Sequence, residues 1–136
     1  MSLCIHLPFR PLPQKRHRYS RGRMYDPSST VKKEFLRLCL RVHKPVPELF
    51  LCALECTLKF TFKRPRSHLT SKSALRKGVP TLHKFKPDVD NMAKFVMDAL
   101  NGVYYKDDSQ ICTLVVSKQY GAEDSVLIQL RLATES

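Results

Sequence analysis

Residues 49–62 read LFLCALECTLKFTF, and this alternation constrains the fold more than any other feature of the chain. Phe50, Cys52, Leu54, Cys56, Leu58, Phe60 and Phe62 share one side of an extended backbone, while Glu55, Thr57, Lys59 and Thr61 share the other. A two-residue period over this length predicts a long strand with one buried face, so a second layer must cover that face.

Helices are the natural cover, and two are legible. Ser28 or Ser29 offers an N-cap for a helix running to about His43, with Val31, Phe35, Leu38 and Val42 on one face and Pro45 and Pro47 beyond its end. A second helix is predicted from about Asp90 to Asn101, with Gly102 placed to terminate it. Further strands are predicted at 2–9, about 110–118 and about 125–132. Two connections separate these elements. Residues 10–23 read as a basic, Pro-rich loop, and residues 63–86 as a long positive connection without an acid. The order β-α-β-loop-α-β-β predicts a single α/β domain over residues 1–136, with a mixed sheet and two main helices.

Charge narrows the partner. Against 12 acids stand 24 Lys and Arg, a net charge of +12 on 136 residues. A small domain with that excess repels itself unless it meets a polyanion, and nucleic acid is the leading one. No apolar stretch approaches the roughly 20 residues that span a bilayer. The opening apolar run stops at Arg10, too early for a secretory signal. Five cysteines with no Cys-x-x-Cys pair read as buried reduced thiols rather than a disulfide framework or zinc ribbon.

The acids are concentrated. Five of the 12 fall between residues 88 and 108: Asp88, Asp90, Asp98, Asp107 and Asp108. On a helical wheel Asp90, Asn91, Lys94 and Asp98 form one polar stripe of roughly 100° on a helix that is otherwise apolar. Grouped carboxylates on a basic protein suit a divalent cation, which prefers hard oxygen ligands. Taken singly, the same residues have ordinary roles. Asp88 or Asp90 suits an N-cap, Asp107 and Asp108 a turn, and Lys94 an i,i+4 pair with Asp90 or Asp98.

The stretch KPDVDNMAKFVMDALNGVYYKDDSQI, residues 86–111, closely resembles the signature of the RusA-type Holliday junction resolvases. Every landmark of that pattern stands here: Pro87-Asp88-x-Asp90-Asn91, Lys94, Asp98-Ala99-Leu100-Asn101-Gly102 and Asp107-Asp108-x-Gln110. The basic loop near 11–25 and the segment FKRPRSH, 62–68, resemble the family more weakly. The resemblance implies a small α/β homodimer that cuts four-way junction DNA by paired nicks, in recombination and repair. It further implies Mg2+, with Mn2+ able to substitute, bound by Asp88, Asp90 and Asp108, and an essential role for Lys94 in catalysis or DNA positioning. Asp107 and Asp108 are not separated at this level.

Three carboxylates cancel the charge of a divalent ion, so affinity for DNA falls to the basic surround. Lys15, Arg16 and Arg18 in the first loop and Lys63, Arg64 and Arg66 in the second are the candidate phosphate contacts. Such an enzyme works in the cytoplasm or nucleoid of a prokaryote or phage host, or in the nucleus or an organelle of a eukaryotic one. Two alternatives remain open here: a nuclease for flaps or forks, and a non-catalytic basic DNA-binding domain.

Overall fold

A computed structural model describes residues 1–134. In chain order the elements are β1 (Ser2–Leu7), β2 (Arg18–Ser20), β3 (Arg23–Tyr25), α1 (Ser29–Val42), β4 (Leu54–Lys63), α2 (Val89–Leu100), β5 (Ile111–Gly121) and β6 (Ser125–Leu132). The main sheet has the order β1-β6-β4-β5, with β4 and β5 parallel and the other neighbours antiparallel. It is the mixed sheet expected. Both helices lie on one of its faces, α1 over β1 and α2 over β5. The residues between them are apolar: Leu3, Ile5, Leu7, Leu54, Leu58, Phe60, Ile128 and Leu130 from the strands, Phe35, Cys39, Met92, Phe95 and Val96 from the helices. Among the described residues no helix is long and apolar enough to cross a membrane.

Local expectations fail in four places, each for a visible reason. β4 begins at Leu54 rather than at residue 49, because Pro47 opens a 3-10 turn at Pro47–Leu49. The carbonyls of Phe50 and Cys52 are then taken by Lys106 and Gln110, so they are lost to a strand ladder. The first basic loop is not wholly loop, since β2 and β3 pair as a separate hairpin within it. The buried line of α1 is Lys32, Phe35 and Cys39, leaving Val31 and Val42 exposed. The helix is rotated so that Lys32 reaches Asp26 and Asp98, at 2.5 and 3.3 Å. Finally, only Cys39 and Cys56 are buried thiols; Cys4 and Cys112 are exposed and Cys52 is half-buried.

The chain reverses from β5 to β6 across the end of β4, which lies between them. This turn is tied down by two bonds, Lys63 N–H to Asp124 Oδ1 at 2.8 Å and Arg64 N–H to the Gly121 carbonyl at 3.1 Å. At Gly121 a Cβ would stand 2.5 Å from Thr61 Cγ2, so the close approach itself demands glycine. Gly121→Ala should lower unfolding free energy by about 1–3 kcal/mol, the usual cost of forcing atoms into a packed site. Adding Thr61→Ser, which removes the opposing methyl, should restore most of the loss in a urea titration.

Candidate active site

α2 starts where Pro87 and Asp88 stop extending. Asp88 occupies the N-cap position with extended backbone, φ −74° and ψ 146°, yet its carboxylate accepts no bond from the first turn. A cap that does not cap leaves its oxygens available. Asp90 is likewise exposed, and among the described residues it bonds to no side chain and Lys94, one turn further on and exposed, has no acid in ion-pairing range. The polar stripe on α2 is therefore real, but its pairing differs from the simple expectation. Asp98 gives its charge to Lys32 of α1, and Lys94 pairs with neither Asp90 nor Asp98. The Lys32–Asp98 pair is not legible in the sequence, because a lysine beside a serine cap reads as solvated.

The approach to this helix is firmly built. Lys118 on β5 donates to the carbonyls of Phe85 and Pro87, the second at 2.9 Å, and so holds the backbone leading to Asp88. Gln14 N–H donates to the Asn91 carbonyl at 2.9 Å. Phe62, His83 and Tyr120 stack beneath the long connection, with ring centroids 4.4 and 4.9 Å apart. Burial, reinforced by the Lys118 charge, holds the His83 imidazole below its ordinary pKa, so it packs as a neutral ring.

Two clefts meet at the first turn of α2, both lined by Gln14 and Asn91. One, of about 470 Å³, is lined by Arg10, Pro11, Phe62 and Asp88. The other, of about 540 Å³, is lined by Lys15, Arg16, His17, Lys94 and Asp98. Lys15 and Arg16 thus converge on Lys94. Arg18 projects from the hairpin, and Lys63 and Arg66 are exposed. Arg64 is drawn into packing instead: it is half-buried, donates to the Pro80 carbonyl at 2.9 Å and lies 5.7 Å over the Tyr120 ring. His68 meets the same ring edge-on.

The far end of α2 separates the paired aspartates. Asp107 caps the short turn Asp108–Gln110: its carboxylate accepts from the Ser109 backbone and hydroxyl, and its own N–H donates to Gln110 Oε1 at 2.8 Å. Those Ser109 bonds hold its carboxyl below the usual range. Asp108 donates its N–H to Asn101 Oδ1 at 3.0 Å, but among the described residues nothing bonds its carboxylate. Burial first, then the charges of Asp107 and Asp98, push that carboxyl above its usual range. Of the two, Asp108 keeps a free carboxylate and Asp107 has an engaged one.

These carboxylates do not meet within one chain. Asp88 and Asn101 bracket α2, about 20 Å apart at a rise near 1.5 Å per residue. Asp108 sits at the Asn101 end. Among the described residues no three His, Cys, Asp or Glu side chains converge to hold an ion.

The signature thus divides by role, and stability should follow the division. Gln110→Ala strands the Phe50 and Cys52 carbonyls and should cost about 1–3 kcal/mol in urea unfolding. Asp88→Asn, Asp90→Asn and Lys94→Ala break no contact and should unfold within about 0.5 kcal/mol of the parent.

Comparison with known proteins gives the family. The family model described as "Endodeoxyribonuclease RusA" matches residues 8–131, from the end of β1 to the end of β6. A Bacillus subtilis (strain 168) protein described as "Uncharacterized protein YqaN" is 35% identical over 122 residues, covering 88% of this chain and 85% of the relative. The chain belongs to the RusA endodeoxyribonuclease family.

Proposed function

We propose that this endodeoxyribonuclease resolves four-way DNA junctions as a homodimer, with Mg2+ held by Asp88 and Asp90 of one copy and Asp108 of the other. The observation that carries this reading is the set of carboxylates left free on a strongly basic protein. Among the described residues the carboxylates of Asp88, Asp90 and Asp108 are bonded to nothing, while those of Asp98 and Asp107 are engaged in structure. Such oxygens fit a hard divalent ion, which supplies Lewis acidity and charge neutralisation to phosphodiester hydrolysis. Lys94 lies in the cleft with Lys15 and Arg16, where its unpaired ammonium can hold the scissile phosphate.

The second copy answers the separation along α2. β5 is an edge strand, and from Cys112 to Val115 it is exposed on both faces, with Leu114 42% and Val115 53% accessible. Residues 119 and 120 are already covered by the long connection, through the Leu82–Gln119 bridge and the Tyr120 N–H to Thr81 bond. The free part of the edge is therefore its first half. Antiparallel pairing of two such edges about Thr113 sets Asp108 of each copy opposite Lys118 of the other. Lys118 is the residue that holds the backbone leading to Asp88. Two identical sites related by a two-fold axis also suit a substrate with that symmetry.

Four outcomes test this. Asp90→Asn should abolish divalent-dependent cleavage of a synthetic junction while junction binding persists, since removing negative charge does not weaken attraction to DNA. A cleavage panel of junction, flap and matched duplex then defines the substrate, with the junction expected to be cut first. Folded Lys94→Ala at saturating junction should lose about 10²–10³-fold in single-turnover rate; a rate within about threefold of the parent removes Lys94 from the site. For the shared site, Asp90→Asn and Asp108→Asn subunits are each inactive alone. After subunit exchange their heterodimer should regain one nicking site. Heterodimers that stay inactive would place all three carboxylates in one chain.

A further inference from the structure

The hairpin at residues 18–25 is left unexplained by hydrolysis. β2 and β3 form a two-stranded sheet of their own, and all of their residues are exposed. Hairpins of this size gain little from their own pairing in water. The turn is nevertheless well defined. Arg21 and Gly22 both have positive φ, 51° and 76°, as a two-residue type I′ turn requires. Glycine adopts this freely, whereas Arg21 does so against its own Cβ, and the result is a guanidinium at the tip.

Register sets Tyr19 opposite Met24 on one face, with Arg18–Tyr25 and Ser20–Arg23 on the other. Tyr19 is 70% exposed and Met24 67%, an aromatic ring beside a thioether with nothing among the described residues to cover them. Around them stand Lys15, Arg16, Arg18, Arg21 and Arg23, and the first acid in the sequence is Asp26. The root of the hairpin, residues 15–17, lines the same cleft as Lys94. A polyanion lying in that cleft is led directly to the hairpin.

Arginines alone suffice to hold a duplex backbone, which offers phosphates and no apolar face. Tyr19 and Met24 need a flat apolar surface between phosphates. A nucleobase face is such a surface, but it is hidden by stacking in intact duplex and free only at a branch or in single strands. We propose that the hairpin is a base-stacking finger: Tyr19 and Met24 cover an unstacked base at the DNA branch, and Arg18, Arg21 and Arg23 hold the flanking phosphates. This rests on the DNA-cleaving reading above.

The full chain is titrated in EDTA, by fluorescence anisotropy across a salt series, against a four-way junction, a matched duplex and a single strand. Tyr19→Ala/Met24→Ala should weaken junction and single-strand binding roughly 10- to 100-fold, with duplex affinity and the salt slope unchanged. Arg18→Ala/Arg23→Ala should instead weaken all three DNAs and flatten the slope by roughly one unit per lost phosphate contact. Tyr19→Phe/Met24→Leu, which keeps the apolar face, should bind like the parent. Junction affinity of the apolar double variant within about threefold of the parent overturns the finger alone, as does an equal loss on junction and duplex. A parent chain that binds none of the three DNAs overturns the finger and the nuclease reading together.

Discussion

The parallel pairing of β4 and β5 is the constraint on which the rest of this molecule depends. Two parallel neighbours cannot be joined by a tight turn, so the chain must cross over, and α2 is that crossover. β4 ends at Lys63, the long connection returns the chain to Asp88, α2 runs back along the sheet, and β5 begins again at Ile111. The two acidic ends of the crossover are therefore held at opposite ends of the sheet. Asp88 and Asp90 stand at one, Asp108 at the other, and no side-chain rotation closes a gap the length of a helix.

Packing makes that geometry rigid. α2 is buried along Met92, Phe95, Val96 and Ala99, and its far end is locked by three polar devices. Asn101 holds the Asp108 backbone, Asp107 caps the next turn, and Gln110 ties that turn to the loop before β4. Lys32 adds a nearly buried bridge from α1 to Asp98. Burying an ammonium is costly unless its hydrogen bonds are met, and here two carboxylates meet them. These contacts explain why so many polar residues of the 86–111 stretch are structural while their immediate neighbours remain free.

Charge then gives the free residues their setting. With a net charge of +12, the surface draws in polyanions, and one of the open clefts at the start of α2 is lined by the uncapping carboxylate of Asp88. Repulsion from Asp98 and Asp107 at Asp108, added to burial, is what a cation would relieve. The exposed half of β5 and the exposed hairpin both carry apolar side chains in otherwise charged surroundings. One faces a second copy in the proposed dimer and the other the DNA.

The linear sequence determined the element types and the identity of the free acids' neighbourhood. Period-two alternation marked β4, the cap and glycine signals marked α2 to within a residue, and the spacing of Asp88, Asp90, Lys94 and Asp108 marked the family. Such signals are local, and local geometry decides them. The sequence was silent where contacts join distant segments. The rotation of α1 depends on Lys32 meeting Asp98, which is 66 residues away. The start of β4 depends on Gln110 claiming the Phe50 and Cys52 carbonyls. Asp107 and Asp108 are equivalent as letters and differ only because one is turned into a cap and the other away from it. Only the tertiary structure decided that the three candidate ligands lie at both ends of one helix, because a crossover's direction is a property of strand pairing and not of the residues it carries.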